Sequence, residues 1–197
     1  VGAYGAYHHS DLGTRGMIGW VAIPFMDRYD FTQNVTWLSQ IAYPVLRLGA
    51  DFFSSYLIRN VSTGRYSLEN ACALEGCTLP RNPKLQGKPQ RNVHMTMGWA
   101  RATLKSVLRA SEILGVDEVR RTAWGDILSN LEPCPITTTP GGELVFDECE
   151  DSGDWGGNAR YPVVNFGGIH PAADISRHSS PERGLPGHLL YRRLPGC

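Results

Sequence analysis

Carboxylates, amides, histidines and aromatic rings gather in three stretches of the sequence. These are residues 7–11 (Tyr-His-His-Ser-Asp), residues 66–70 (Tyr-Ser-Leu-Glu-Asn) and residues 146–161, which contain five acidic side chains and Trp155. Glycoside hydrolysis usually needs two carboxyl groups flanking the bond that breaks. The group that donates the proton must keep it near neutral pH, and a semi-buried position beside aromatic rings favours this. Because aromatic faces also stack on sugar rings, the three stretches predict a carbohydrate site built from loops.

Each candidate residue has a chemical and a structural interpretation. Glu69 is predicted to be the general acid, the alternative being a surface or capping glutamate in a loop. His8 and His9 are predicted sugar contacts, but they could equally be structural, and Asp11 is expected to be structural. No third ligand accompanies the two histidines, so no metal site is predicted. Trp155 is expected to meet a sugar, whereas the tryptophans on predicted helices are expected in the core: Trp20, Trp37, Trp99 and Trp124.

The acidic run from Asp147 to Asp154 has three interpretations. It could line the cleft, it could be a solvated loop, or its oxygens could bind calcium, although their spacing is not that of an EF-hand. The sequence contains no Ser-His-Asp arrangement, P-loop or dinucleotide fingerprint, and no cofactor is predicted.

Helical patterns dominate the first 60 residues. Residues 17–29 are mostly apolar and predict a helix that Pro24 kinks or restarts. Residues 34–60 predict a second helical stretch, divided at Pro44. Residues 61–91 contain turn signals and several prolines, and they predict a long irregular loop of the kind that often carries function.

A helical hairpin is predicted next. Residues 92–114 carry one apolar stripe, and Gly115 is a good helix stop. Asp117 is a good cap for the following helix. The buried face of that helix is expected to comprise Val119, Ala123, Ile127 and Leu131.

The last third of the chain shows little periodicity. Residues 144–146 predict a short strand with residues 137–139 as its partner. Residues 147–182 are rich in glycine, aspartate, proline and aromatics, and residues 183–197 predict a poorly ordered tail.

The composition excludes several classes of function. With 197 residues, 42% hydrophobic and 19% charged, the chain can bury a core. Its formal net charge is +0, and no nucleic-acid partner is predicted. No apolar run reaches the roughly 18 residues of a membrane helix, so no membrane partner is predicted. Cys72 and Cys77 could form a small disulfide or remain thiols, and sequons at Asn34 and Asn60 give a lean toward secretion with the location otherwise unknown.

Several stretches, in order along the chain, resemble motifs of the α-L-fucosidases that fold as (α/α)6 barrels. His8-His9-Ser10-Asp11 is similar to their His-His-Asn-Thr-Asp stretch. Ser67-Leu68-Glu69-Asn70 is similar to their Ser-Pro-Glu-Asn motif, whose glutamate is the general acid. Arg160 stands where the family has a His-Arg-His cluster, and Gly98 stands where it has the aspartate of Thr-Met-Asp. Other similar stretches are residues 42–46, 50–53, 96–97, 110–117 and 161–176.

The resemblance implies an inverting glycoside hydrolase that acts on α-L-fucosides or related sugars. Glu69 would protonate the leaving oxygen, and the predicted substrate-binding residues are His8, His9, Asn70, Trp155 and Arg160. The family's water-positioning groups precede the His-His motif and follow the sugar-binding loop. They are therefore expected outside residues 1–197.

The predicted fold is all-α, about half of an (α/α)6 toroid of helical hairpins with a short β excursion. Residues 1–182 are predicted to be a partial catalytic domain, and residues 183–197 its tail. The expected partners are an oligosaccharide or glycoconjugate substrate and the remainder of the barrel. The alternatives are a non-catalytic helical-hairpin scaffold that binds carbohydrate or protein, and a gene fragment without activity.

Overall fold

The computed structural model describes most of the central part of the chain, namely residues 16–72, 89–138, 140–142, 144–150 and 152. His8, His9, Trp155, Arg160 and the predicted tail lie outside these residues. Helices form most of the described structure: α1 (Met17–Thr32), α2 (Val35–Trp37), a π-helical turn (Leu38–Ala42), α3 (Tyr43–Tyr56), α4 (His94–Leu114) and α5 (Glu118–Ser129). Two small antiparallel pairs complete it: β1 (Ile58–Arg59) with β2 (Tyr66–Ser67), and β3 (Ile136–Thr138) with β4 (Leu144–Phe146).

Helix α1 continues through Pro24, and the predicted restart at this proline is wrong. A proline inside a helix lacks the N–H that would bond the carbonyl four residues earlier, here that of Trp20. Pro24 is exposed and Trp20 is 47% exposed, so water can reach this side of the helix. The prediction that Trp20 lies in the core is therefore wrong as well. Its ring lies at the edge of the core, stacked on the buried Trp99 with 5.7 Å between ring centroids.

The chain also stays helical through Pro44. Asn34 begins the helical stretch, where its side chain accepts a hydrogen bond from the Trp37 N–H at 2.9 Å. At the π-helical turn the Tyr43 N–H donates to the Leu38 carbonyl, five residues earlier, and α3 follows with Pro44 in its first turn. At Pro44 the hydrogen-bonding pattern therefore changes, but the helix does not break as predicted. The wider π-helical turn accommodates the proline, which has no N–H to donate.

Helix α3 ends earlier than predicted. Leu57 is extended and buried, and the next two residues pair with β2 instead of continuing the helix. The connecting turn is stabilised by Asn60, whose side-chain oxygen accepts hydrogen bonds from the Ser62 N–H and hydroxyl at 2.9 and 2.6 Å. The positive φ of Gly64 (72°) completes the turn.

The predicted α4–α5 hairpin is present. Gly115 adopts the left-handed conformation, its N–H donates to the Glu112 carbonyl at 3.2 Å, and the Val116 N–H donates to the Ser111 carbonyl at 3.1 Å. This pattern is the Schellman helix ending, which glycine favours.

Asp117 lies directly before α5, but its side chain does not cap that helix. Its backbone is left-handed (φ 52°), whereas a capping residue usually has an extended backbone. The carboxylate instead accepts a hydrogen bond from the Tyr43 hydroxyl at 2.7 Å, with the guanidinium groups of Arg47 and Arg120 at 3.8 and 3.7 Å. This contact joins α3 to the α4–α5 turn.

Helix α4 lies at the centre of the described structure and packs against α1, α3 and α5. Glycines bring the helices close: a Cβ at Gly19 would lie 2.8 Å from the Trp99 Cβ, and one at Gly49 would lie 2.9 Å from the Thr103 Cγ2. Trp99 and Trp124 are fully buried, as predicted, and Trp37 is partly buried. The other large side chains of this core include Phe53, Leu38, Leu46, Leu68, Met97 and Leu104.

The predicted buried face of α5 is only partly correct. Ile127 and Leu131 are buried, but Val119 is 87% exposed and Ala123 is also exposed. The buried side of the helix instead runs through Trp124, whose large ring fills the space against α4.

The all-α class and the short β excursion are confirmed, and the packed helices are consistent with part of a helical-hairpin toroid. Strand β4 lies where it was predicted, and β3 begins one residue earlier than predicted. No helix in the described part of the chain is both long enough and apolar enough to cross a membrane.

Gly19→Ala should lower the free energy of unfolding by about 1–3 kcal/mol, because the added methyl group forces α1 away from Trp99. Gly125→Ala is the matched control, since a Cβ there meets nothing within 4 Å and alanine favours the helix by up to about 1 kcal/mol. Chemical denaturation of both variants tests this. Equal stabilities would show that close approach at Gly19 is unimportant.

Tyr43→Phe should produce a stability loss that depends on pH. Burial, together with the hydrogen bond to Asp117, raises the pKa of Tyr43 from 10.0 to about 12. A raised pKa means that this stabilisation is complete below pH 10 and disappears as the pH rises through 12. We expect a loss of about 1–3 kcal/mol at pH 8, narrowing above pH 10. Denaturation curves at several pH values measure it, and a constant difference across that range would contradict the assignment.

Candidate active site

Glu69 lies in a short loop, residues 67–72, that we call the carboxylate loop. Leu68 is fully buried and fixes the loop to the core. From α3, the Tyr56 hydroxyl lies within hydrogen-bond distance of the carbonyl oxygens of Glu69 (2.8 Å) and Asn70 (3.0 Å). The loop ends at Cys72, which is buried and disulfide-bonded, while the proposed partner Cys77 lies outside the described residues. The backbone on both sides of Glu69 is therefore held in place.

Residues 90–93, directly before α4, hold the carboxylate loop from its other side, and we call them the lead-in segment. The Asn92 N–H donates to the Leu68 carbonyl, and the Leu68 N–H donates to the Asn92 side-chain oxygen, both at 2.8 Å. Ala71 and Gln90 exchange two further backbone hydrogen bonds, at 3.0 and 2.8 Å. Asn92 is completely buried and has a positive φ (47°), a conformation that asparagine tolerates better than most residues.

The Glu69 carboxylate has two donors on one oxygen. Its Oε1 accepts from the Ser67 hydroxyl at 3.0 Å and from Arg91 Nε at 2.8 Å. The Glu69 side chain is 25% exposed and that of Arg91 is 50% exposed. The two hydrogen bonds hold the Glu69 carboxylate in one orientation. Its partial exposure allows it to contact a ligand.

A second carboxylate binds the same guanidinium group. Arg91 Nη1 lies 3.0 Å from Glu150 Oε2, and Asn92 Nδ2 lies 2.5 Å from Glu150 Oε1. The Glu150 N–H also donates to the Arg91 carbonyl at 3.0 Å. Glu69, Arg91 and Glu150 thus form one charge cluster, with the arginine between two glutamates.

Residues 147–150, the acidic segment, dock against the first turn of α4. The His94 N–H donates to the Glu148 carbonyl at 2.9 Å, and His94 Nδ1 lies 3.1 Å from the Asp147 carbonyl oxygen. The Asp147 carboxylate is buried and accepts from the Ser152 hydroxyl and the Glu148 N–H. Of the three interpretations of the acidic run, a solvated loop is wrong for Asp147, which is buried, whereas Glu148 and Glu150 are partly exposed.

No group of three or more histidine, cysteine, aspartate or glutamate side chains in the described residues could hold a metal ion. In the acidic segment, the Asp147 carboxylate accepts from a hydroxyl and a backbone N–H, and the Glu150 carboxylate is held by an arginine and an amide. Asp151 and Asp154, at the end of the acidic run, lie outside the described residues.

The end of α5 supports the strand that leads into the carboxylate loop. The Tyr66 N–H donates to the Asn130 carbonyl at 2.8 Å, and the Glu132 N–H donates to the Tyr66 carbonyl at 2.9 Å. The Tyr66 hydroxyl donates to Asp126 at 2.8 Å, and this hydrogen bond is the main reason that the pKa of Tyr66 is raised. The α4–α5 hairpin therefore positions the carboxylate loop as well as the core.

Of the predicted site residues, the structure describes Glu69 and Asn70. Asn70 is exposed and left-handed (φ 53°), directly beside Glu69. His8, His9, Trp155 and Arg160 lie outside the described residues and remain predictions.

Sequence reasoning missed Arg91 and Asn92. It assigned Arg91 to an irregular loop and Asn92 to the start of a helix that begins two residues later. An asparagine just before a strong helical pattern was the available signal, but nothing in its spacing indicated a positive φ.

Comparison with known families adds one match. The sequence model of the glycosyl hydrolase family 95 catalytic domain matches residues 10–183. This range includes the carboxylate loop, the lead-in segment and the acidic segment. No curated protein matches the chain.

Asn92→Gly should destabilise the carboxylate loop, because glycine accepts the positive φ but leaves the buried Leu68 N–H without its acceptor. We expect a loss of about 1–3 kcal/mol and faster amide hydrogen exchange in residues 67–72. Asn70→Gly is the matched control: it is also an asparagine with positive φ (53°), but its exposed side chain makes no described hydrogen bond. Similar exchange rates in both variants would refute a specific role for Asn92.

Proposed function

Because the chain belongs to the glycosyl hydrolase family 95 catalytic domains, we propose that it hydrolyses α-L-fucosides, or closely related deoxy or galacto sugars, by acid-assisted inversion. Membership in this family supports glycoside hydrolysis and a carbohydrate substrate. The particular sugar is proposed from the order of the motifs, above all the Ser67–Asn70 stretch and the His-His stretch at residues 8–9.

Glu69 is the proposed general acid, and the observation that supports this role is its fixed, partly exposed carboxylate. A proton donor must reach the glycosidic oxygen in a defined geometry. Hydrogen bonds from Tyr56, Asn92 and Gln90 hold the backbone of the carboxylate loop, and Oε1 is oriented by Ser67 and Arg91. In the described part of the chain Oε2 makes no hydrogen bond or ion pair, which leaves that oxygen for the substrate.

In the proposed reaction, the Glu69 carboxyl proton passes to the glycosidic oxygen as the bond between this oxygen and the anomeric carbon breaks. The aglycone leaves as an alcohol, and a water oxygen attacks the anomeric carbon from the opposite face while a general base takes a proton from this water. The products are a sugar with inverted anomeric configuration and an ionised Glu69. Asn70, next to the acid, is proposed to bind the sugar together with His8, His9, Trp155 and Arg160.

Glu69→Gln should reduce the kcat of substrates with poor leaving groups by about 100- to 10,000-fold, because the amide cannot donate a proton to the departing oxygen. Aryl fucosides with very acidic leaving groups need little protonation, so the kcat of Glu69→Gln with these substrates should fall much less. The assay compares both substrates with the protein expressed from its complete gene, and NMR of the first-formed sugar reports the inversion.

Glu132→Gln is the matched control for this experiment. Glu132 is 26% exposed, almost the same as Glu69, and it also faces an arginine, Arg65, at 4.0 Å. Its substitution should leave both rates unchanged. An equal loss of kcat with both classes of substrate in Glu69→Gln would exclude Glu69 from the proton-transfer step. Sugar binding without turnover by the unaltered protein would favour a non-catalytic scaffold.

A further inference from the structure

The charge cluster combines two glutamates with a single arginine. The Arg91 side chain meets Glu69 through Nε at 2.8 Å and Glu150 through Nη1 at 3.0 Å. When all three groups are ionised, the cluster carries one net negative charge. One added proton makes it neutral, so protonation of either glutamate leaves Arg91 paired with the other.

The two glutamates differ in the donors that hold their carboxylates. Glu150 accepts from Arg91 and from the buried amide of Asn92 (2.5 Å), and its segment is docked at the N-terminus of α4. Glu69 accepts from Arg91 and from the Ser67 hydroxyl, which also lies 3.4 Å from the Ile58 carbonyl. Because that hydroxyl has a second acceptor, its hydrogen bond to Glu69 can be given up when Glu69 carries a proton.

We propose that Glu150 acts as the alternative partner of Arg91, so that Glu69 can be protonated while the arginine stays paired and in place. Arg91 and Glu150 are then positioning residues for the general acid rather than catalytic residues. This inference rests on the proposed function, since it explains how a glutamate paired with an arginine can still serve as a proton donor.

The groups that face the cluster in the described residues come from three directions. Tyr56 of α3 bonds the backbone of Glu69, Ser67 of β2 bonds its carboxylate, and Asn92 of the lead-in segment bonds Glu150. Arg91 carries the positive charge that lies against both glutamates. The nearby Asp147 carboxylate is buried and bonded to Ser152 and to the Glu148 N–H.

The test uses Arg91→Met and Glu150→Gln and follows the alkaline limb of kcat/KM against pH, which reports the group that must be protonated. Removal of the positive charge should move this limb to higher pH, and removal of the competing carboxylate should move it to lower pH. Each shift should be about one pH unit. Arg91→Lys keeps the charge but cannot bridge two carboxylates in the same way. The alkaline limb should therefore stay at the same pH while kcat falls.

Arg109→Met is the matched control. Arg109 is 51% exposed and pairs with Asp30 of α1 at 2.7 Å, on another side of α4, so its loss should leave the pH profile unchanged. The same titration is followed without turnover by NMR of the Glu69 side-chain carboxyl carbon in each variant. Melting temperatures show that each variant is folded.

Opposite shifts of the NMR midpoint in Arg91→Met and Glu150→Gln, with no shift in Arg109→Met, support the inference. If these shifts occur but the unaltered protein hydrolyses no fucoside, the charge cluster stands and the proposed function fails. If both variants lose activity with no change in limb or midpoint, the inference fails, because a purely structural role predicts this result.

Discussion

The geometry of the charge cluster depends on the backbone hydrogen bonds of the lead-in segment. The first N–H groups of an α-helix have no partner within the helix, and Val93, which precedes α4, supplies no side-chain cap. The Glu148 carbonyl accepts from the His94 N–H instead, so a segment more than 50 residues away caps the longest helix of the described structure. The positive end of the helix dipole also favours acidic residues here. On its other side the lead-in segment bonds the carboxylate loop, and the two glutamates therefore meet at Arg91.

The charge cluster contributes to position more than to stability. Ion pairs that are exposed to this degree typically contribute about 0–1 kcal/mol each, because water screens them and the side chains lose freedom. The stability of the described structure comes instead from the close packing of α1, α3 and α4, where Gly19 and Gly49 let the helices approach. Because the three charged side chains of the cluster are partly exposed, the charges around Glu69 can change without loss of the fold.

The sequence predicted the elements whose signals are local. The apolar stripe of α4, the helix ending at Gly115 and the strand at β4 were correct, as was the position of Glu69 in a loop. The predicted restart at Pro24 and the predicted division at Pro44 failed because solvent access and a π-helical turn compensate for the missing donor. The cluster was missed because it joins residues far apart in the sequence, with Glu69 already 22 positions from Arg91, and periodicity carries no information about such contacts.

Leu68 is the position at which this chain differs from the similar motif of the α-L-fucosidases. The similar motif of the α-L-fucosidases is Ser-Pro-Glu-Asn, whereas this chain has leucine before the glutamate. A proline fixes its own φ and has no N–H, so it restricts the loop without needing an acceptor. Leu68 has neither property, and its buried N–H requires a partner. Asn92 provides that acceptor at 2.8 Å, and burial of the leucine side chain supplies the restraint. The same asparagine then orients Glu150 through its amide nitrogen, so the residue that accepts the Leu68 N–H also brings the second carboxylate to Arg91.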